Sequence, residues 1–186
     1  MIFYHMGGTA YMKKNRTLIR TIILLVLVCA IGYTFYINFF KKDEVITKGS
    51  KAPNFAMTEL NSGKRYTLSG EKGKGVIVNF WGTWCEPCKR EMPFMNEIYS
   101  KYKGKGIELL AMNADESKFS VQRFVSDYKL NFPVGIDKDQ EVLNIYGVNP
   151  LPTTFFVSPD GTIKRIVTGQ MTPNSFESYI KEILPK

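Results

Sequence analysis

Two cysteines with two residues between them, in Trp84-Cys85-Glu86-Pro87-Cys88-Lys89, are the side chains best suited to chemistry. One helical turn brings thiols at this spacing close enough to close into a small-ring disulfide and to open again. At a strand-to-helix junction Cys85 would stand near the helix start. Unpaired backbone N–H groups and the positive end of the helix dipole there favour thiolate over thiol, which makes Cys85 the nucleophile. Cys88, a turn further in, would be the more buried resolving thiol. Pro87 fits a first helical turn, where its missing N–H costs nothing and its φ is already helical.

The neighbouring residues exclude most other uses of the spacing. Covalent haem attachment needs histidine directly after the second cysteine, and Lys89 stands there. Structural zinc needs two more ligands, yet no second cysteine pair exists, and the single histidine, His5, precedes a long apolar run. Copper delivery by a thiol pair with a distant histidine fails for the same reason, so no metal or other cofactor is expected. The peroxidatic Pro-x-x-x-Thr-x-x-Cys pattern is absent, because Thr83 lies only two residues before Cys85. A purely structural disulfide stays open, although a three-residue link closes almost no loop and adds little through chain entropy.

The elements that must hold this pair can be read on either side of it. Gly75 to Trp81 is a nearly continuous apolar run rich in branched side chains, as in a central strand covered on both faces. Met92, Met95, Ile98, Tyr99 and Tyr102 recur at helical steps from Pro87 to Lys103, with a kink expected at Pro93. Strands are expected at Ile107–Met112 and Pro133–Ile136. Phe119, Val121, Phe124, Val125 and Tyr128 mark a second amphipathic helix, and a brief one covers Gln140–Tyr146. Thr153–Ser158 and Thr162–Thr168 flank the turn Pro159-Asp160-Gly161, and Ser175–Leu184 closes the chain as a helix. Asn54 to Leu68 folds around Asn61-Ser62-Gly63-Lys64 as an added amino-terminal hairpin. The fold class is therefore α/β, a mixed sheet flanked by helices, in a domain from residue 52 to 186.

Upstream, residues 21–40 run twenty positions without a charge, and a helix of that length spans roughly 30 Å, the thickness of a bilayer core. Lys13, Lys14, Arg16 and Arg20 precede it and favour a cytoplasmic N-terminus at residues 1–20, with the domain outside. A cleaved secretory signal is the competing reading, but the bulky aromatic end of the run shows no small-x-small site. Cys29 follows Val28 inside the run and reads as an apolar thiol rather than a lipidated one. Residues 41–51 are a polar tether. Residues 1–11 have no evident role, and Met12 starts a signal-type segment, so residues 1–11 read as a start-site artefact. The formal charge is +8, but setting aside the four upstream cations leaves 21 basic against 17 acidic residues, an ordinary surface that does not point to nucleic acid.

The run Val78-Asn79-Phe80-Trp81-Gly82-Thr83-Trp84-Cys85-Glu86-Pro87-Cys88 resembles the active-site strand and loop of thioredoxin-like proteins. Gly147-Val148-Asn149-Pro150-Leu151-Pro152-Thr153-Thr154-Phe155 resembles the segment in which a cis-proline faces the cysteine pair. With the anchor and the added hairpin, the likeness is closest to the ResA and TlpA branch of thiol-disulfide oxidoreductases. It implies a thioredoxin-like fold and a redox-active Cys85–Cys88 pair. It also implies a cis peptide before Pro152, with Pro152, Thr153 and Trp84 at the substrate. Asn79 replaces the buried aspartate of cytoplasmic thioredoxin, and Glu91 resembles the glutamate that serves the thiols in its place. The implied substrate is the Cys-x-x-Cys-His disulfide of apocytochrome c, and the implied electron donor is a CcdA-type membrane thiol carrier. Reduction or oxidation of other exported proteins stays open, because the motif does not set the direction of exchange.

Overall fold

The computed structural model describes residues 9–40 and 46–186, and the chain falls into two compact units that meet in sequence between Glu44 and Val45. His5, most of the suggested start-site segment 1–11 and the first half of the tether lie outside the described residues. The first unit is one helix, α1 (Thr9–Phe40), whose stretch Leu18–Tyr36 is long and apolar enough to cross a membrane. It begins earlier than the uncharged run because no glycine or proline interrupts residues 9–31. Inside it the Thr21 and Thr34 hydroxyls donate to the carbonyls of Leu18 and Ala30, so these polar side chains are satisfied within the helix.

The second unit runs β1 (Ala56–Thr58), β2 (Arg65–Thr67), β3 (Gly75–Trp81), α2 (Glu86–Tyr102), β4 (Ile107–Ala114), α3 (Lys118–Asp127), β5 (Val134–Asp137), α4 (Glu141–Ile145), β6 (Thr153–Val157), β7 (Ile163–Thr168) and α5 (Pro173–Glu182). The main sheet has the order β5-β4-β3-β6-β7, with β3 parallel to β4 and antiparallel to β6. All seven residues of β3 are buried, as its nearly continuous apolar run requires, Asn79 included. Ile77 and Trp81 face the core shared with Met92 and Met95 of α2 and Phe176 and Ile180 of α5. Val76, Val78 and Phe80 face the opposite core with Leu143, Tyr146 and Phe155. The central strand thus delivers its last residue, Trp81, and the cysteine loop after it, from the best-covered place in the domain.

β1 and β2 form the expected hairpin, held by Glu59, whose carboxylate accepts from the backbone N–H groups of Asn61 and Ser62. The Leu60 N–H donates to the carbonyl of Val134 at 2.9 Å, so the hairpin lies against the edge strand β5 and covers it. Residues 49–52 already bond to the start of β7 and the turn before it, through Gly49 N–H to Ile163 O and Ala52 N–H to Gly161 O.

α2 runs as a single helix through Pro93, with Met92, Met95, Ile98 and Tyr99 buried along it. One expectation needs correction. Phe119 is 74% exposed: it sits in the first turn of α3, and only Val121, Phe124 and Val125 reach the core, with Tyr128 stacked on Phe124.

Candidate active site

Cys85 is the N-cap of α2, with extended backbone at φ −84° and ψ 104°, and its sulfur accepts the Cys88 backbone N–H at 3.3 Å. A sulfur therefore occupies the place of the serine or aspartate oxygen that usually caps a helix. The two cysteines are joined, Sγ to Sγ, with Cα atoms 5.2 Å apart. Cys85 retains 5% exposure and Cys88 none, so a disulfide partner reaches the pair from the Cys85 side. Pro87 lies in the first turn of α2, as its geometry favours. Trp81 is fully buried against Phe124, whereas Trp84, next to Cys85, is 65% exposed and lays its ring over Gly82.

Glu91, one turn beyond Cys88, is entirely buried rather than solvated beside Lys89, which pairs instead with Glu86 at 2.6 Å. Its carboxylate accepts from the side-chain amide of Asn79 and from the backbone N–H of Met171, each at 3.3 Å. Burial pushes its pKa from 4.5 up to about 7, and the two donated hydrogen bonds offset part of that rise. A buried carboxyl that changes charge near neutrality, one turn from a buried thiol, can take up and return a proton. Asn79 also donates to the Thr154 hydroxyl at 2.9 Å, which ties β3 to β6 beneath the pair. Its Oδ1 and the Trp81 Nε1 are buried with no hydrogen-bond partner among the described residues.

The Leu151–Pro152 peptide is cis, and Pro152 is buried just before β6. Thr153 stands opposite Phe80 in the β3–β6 register, which places Pro152 and Thr153 at the end of the sheet from which the cysteine loop leaves. The Thr153 hydroxyl donates to Pro150 O and the Gly169 N–H donates to Pro152 O, each at 2.8 Å. Of the six sequence-derived site residues, Cys85, Cys88 and Glu91 lie along the start of α2, Trp84 directly precedes it, and Pro152 and Thr153 lie at the same end of the sheet. Among the described residues, no three His, Cys, Asp or Glu side chains converge to hold a metal ion.

Glu116 and Asn113 were not legible as site residues. The Glu116 carboxylate accepts the backbone N–H of Thr83 at 2.6 Å, the Thr83 hydroxyl, and the Asn113 side-chain amide at 2.7 Å. Nothing in the Cys-x-x-Cys spacing points 31 residues downstream. The only sequence signal is an amide and a carboxylate three residues apart at the end of a strand, a pattern too common to single out.

Comparison with known proteins agrees with this geometry. Residues 48–166 match the model of the AhpC/TSA family. The chain is 51% identical over 174 residues to the thiol-disulfide oxidoreductase ResA of Bacillus thuringiensis subsp. konkukian, covering 94% of this chain and all of that one. It is 51% identical over 173 residues to ResA of Bacillus subtilis, covering 93% of this chain and 96% of that one. Among solved structures, a thiol:disulfide interchange protein DsbE from Chlorobium tepidum superposes with a TM-score of 0.69 at 31% identity, over 74% of this chain and 98% of that one. StoA from Bacillus subtilis superposes with a TM-score of 0.61 at 27% identity, over 69% and 96%. A helix-capping cysteine bonded to a second one turn in, with a buried glutamate a turn beyond, on a thioredoxin-like sheet and in a chain half identical to ResA, exchanges dithiol for disulfide: the chain belongs to the AhpC/TSA family, among its ResA-type thiol-disulfide oxidoreductases.

Proposed function

We propose that the chain is a membrane-anchored thiol-disulfide reductase whose domain lies outside the cytoplasm and whose substrate is the Cys-x-x-Cys-His disulfide of apocytochrome c. One observation carries the chemistry: Cys85 caps α2 while Cys88 and Glu91 are buried behind it. The substrate assignment is supported by the likeness to the thiol-disulfide oxidoreductase ResA and by what the resemblance of the cysteine and proline segments to that branch implies. The topology is supported by the uncharged run of residues 21–40 in α1 and by the cations ahead of it, Arg16 and Arg20 among them.

In the reaction, the Cys85 thiolate attacks one sulfur of the substrate disulfide. That bond breaks as the Cys85–substrate bond forms, and the departing sulfur takes up a proton. Cys88 passes its proton to the Glu91 carboxylate and attacks the Cys85 sulfur, which closes the intramolecular disulfide and releases the second substrate thiolate to be protonated. Two electrons have then moved from the pair to the substrate, and of the two protons its thiols take up, one returns from Glu91 and the other comes from solvent. A CcdA-type membrane thiol carrier returns the electrons, and no cofactor of the protein's own takes part. Pro152 offers the substrate backbone without an N–H just ahead of β6, Thr153 anchors that segment to the sheet, and the exposed Trp84 ring walls the approach to Cys85.

Replacing the resolving thiol tests this. In cells, Cys88→Ser should stall at the mixed disulfide, and mass spectrometry of the trapped adducts should recover c-type apocytochromes. Adducts dominated by unrelated exported proteins would replace this reading with a general reductase or oxidase.

A further inference from the structure

The loop that delivers Cys85 is held from outside its own strand and helix. Thr83, two residues before the nucleophile, gives both of its donors, backbone N–H and hydroxyl, to the single carboxylate of Glu116. The same carboxylate takes the Asn113 amide at 2.7 Å, and Asn113 Oδ1 in return accepts the Glu116 backbone N–H at 3.1 Å. Asn113 is fully buried on β4, paired in register with Trp81, the last residue of β3. Between the two, Asp115 adopts left-handed backbone at φ +51°, uncommon for a residue with a side chain. The turn is thereby folded so that Glu116 points back across the sheet to the cysteine loop.

We propose that Glu116 is a positioning residue for the nucleophile: by bridging Asn113 and Thr83, it fixes where the Gly82–Trp84 loop hands Cys85 to α2. The role holds whichever disulfide is the substrate. A capping sulfur profits from the helix N-terminus only while the chain entering the helix stays in place, and within the loop itself the Cys85 N–H also bonds to Gly82 O at 3.2 Å. Glu116 touches no reacting atom. Its effect runs through Thr83, which makes the two residues one unit.

A coupled set of variants of the full chain in detergent tests this. The readout is the rate at which the reduced protein attacks 5,5′-dithiobis(2-nitrobenzoate), measured on the high-pH plateau, where Cys85 is fully ionised and loss of the Glu116 charge no longer alters thiolate content. Glu116→Ala should lower the plateau rate about tenfold, as misplacing a reacting group does. Thr83→Val should lower it less, and Thr83→Ser, which keeps both donors, should restore it. The double variant Thr83→Val/Glu116→Ala should be no slower than Glu116→Ala alone, since residues acting as a unit are not additive. Melting temperatures of the same proteins separate positioning from mere support. An unchanged plateau in Glu116→Ala, additive losses, or rates that follow melting temperature across the whole set would overturn the proposal. Because the probe is a small disulfide, these outcomes are independent of whether apocytochrome c is the substrate.

Discussion

Glu91 shows how one buried side chain links stability to chemistry. Its folded pKa of about 7 lies above the ordinary 4.5, so between those values the folded chain holds the proton more tightly than the unfolded one. The stabilisation is complete below about pH 4.5 and is lost as pH rises to about 7, roughly 3 kcal/mol in all. Denaturant unfolding of the oxidised chain at pH 5 and pH 8 should therefore show a loss of that order which the Glu91→Gln variant lacks. Parallel pH profiles for the two would mean that the carboxyl ionises normally. In the reduced protein, the same substitution should remove the ionisation near pH 7 from the rate of mixed-disulfide resolution. The Cys85–Cys88 disulfide was legible from spacing and residue type, and the cis peptide before Pro152 from the resemblance of its segment. The burial of Glu91 was not, since it depends on Met171, 80 residues away, closing over it.

At the scale of elements, β3 and α2 do most of the positioning. Gly75 opens β3 where a Cβ would come within 2.2 Å of the Ile183 carbonyl, beyond the end of α5. Gly75→Ala should therefore push the start of the strand and the C-terminus apart, at a cost of about 1–3 kcal/mol seen as a lower melting temperature. Phe119 and Phe124 make a sharper pair within α3. Phe119→Ser should leave the melting temperature almost unchanged, whereas Phe124→Ala, which removes a ring packed on Trp81 and Tyr128, should cost about 3–5 kcal/mol. Helical spacing had assigned both rings to one buried face. Periodicity identifies the face of a helix but not where along its length that face leaves the core, so the first-turn ring was misassigned. The strands were easier to read, because β3, β4 and β6 are buried along most of their length and carry mainly apolar or β-branched residues.

The whole molecule divides its tasks between its two units. Among the described residues, both hydrophobic cores and the candidate site lie in the unit beginning at Val45. Cleavage between the units should leave the melting temperature and the reaction with small disulfides unchanged, while releasing the domain from membranes. A domain that loses either property on release would show that α1 does more than anchor. The account's central claim is that Cys85 is an ionised attacker and Cys88 a shielded resolver. Brief treatment of the reduced full chain with iodoacetamide at pH 7, followed by peptide mass spectrometry, measures this directly. The account predicts label on Cys85 with Cys88 unmodified; label first on Cys88, or on neither sulfur, would contradict it.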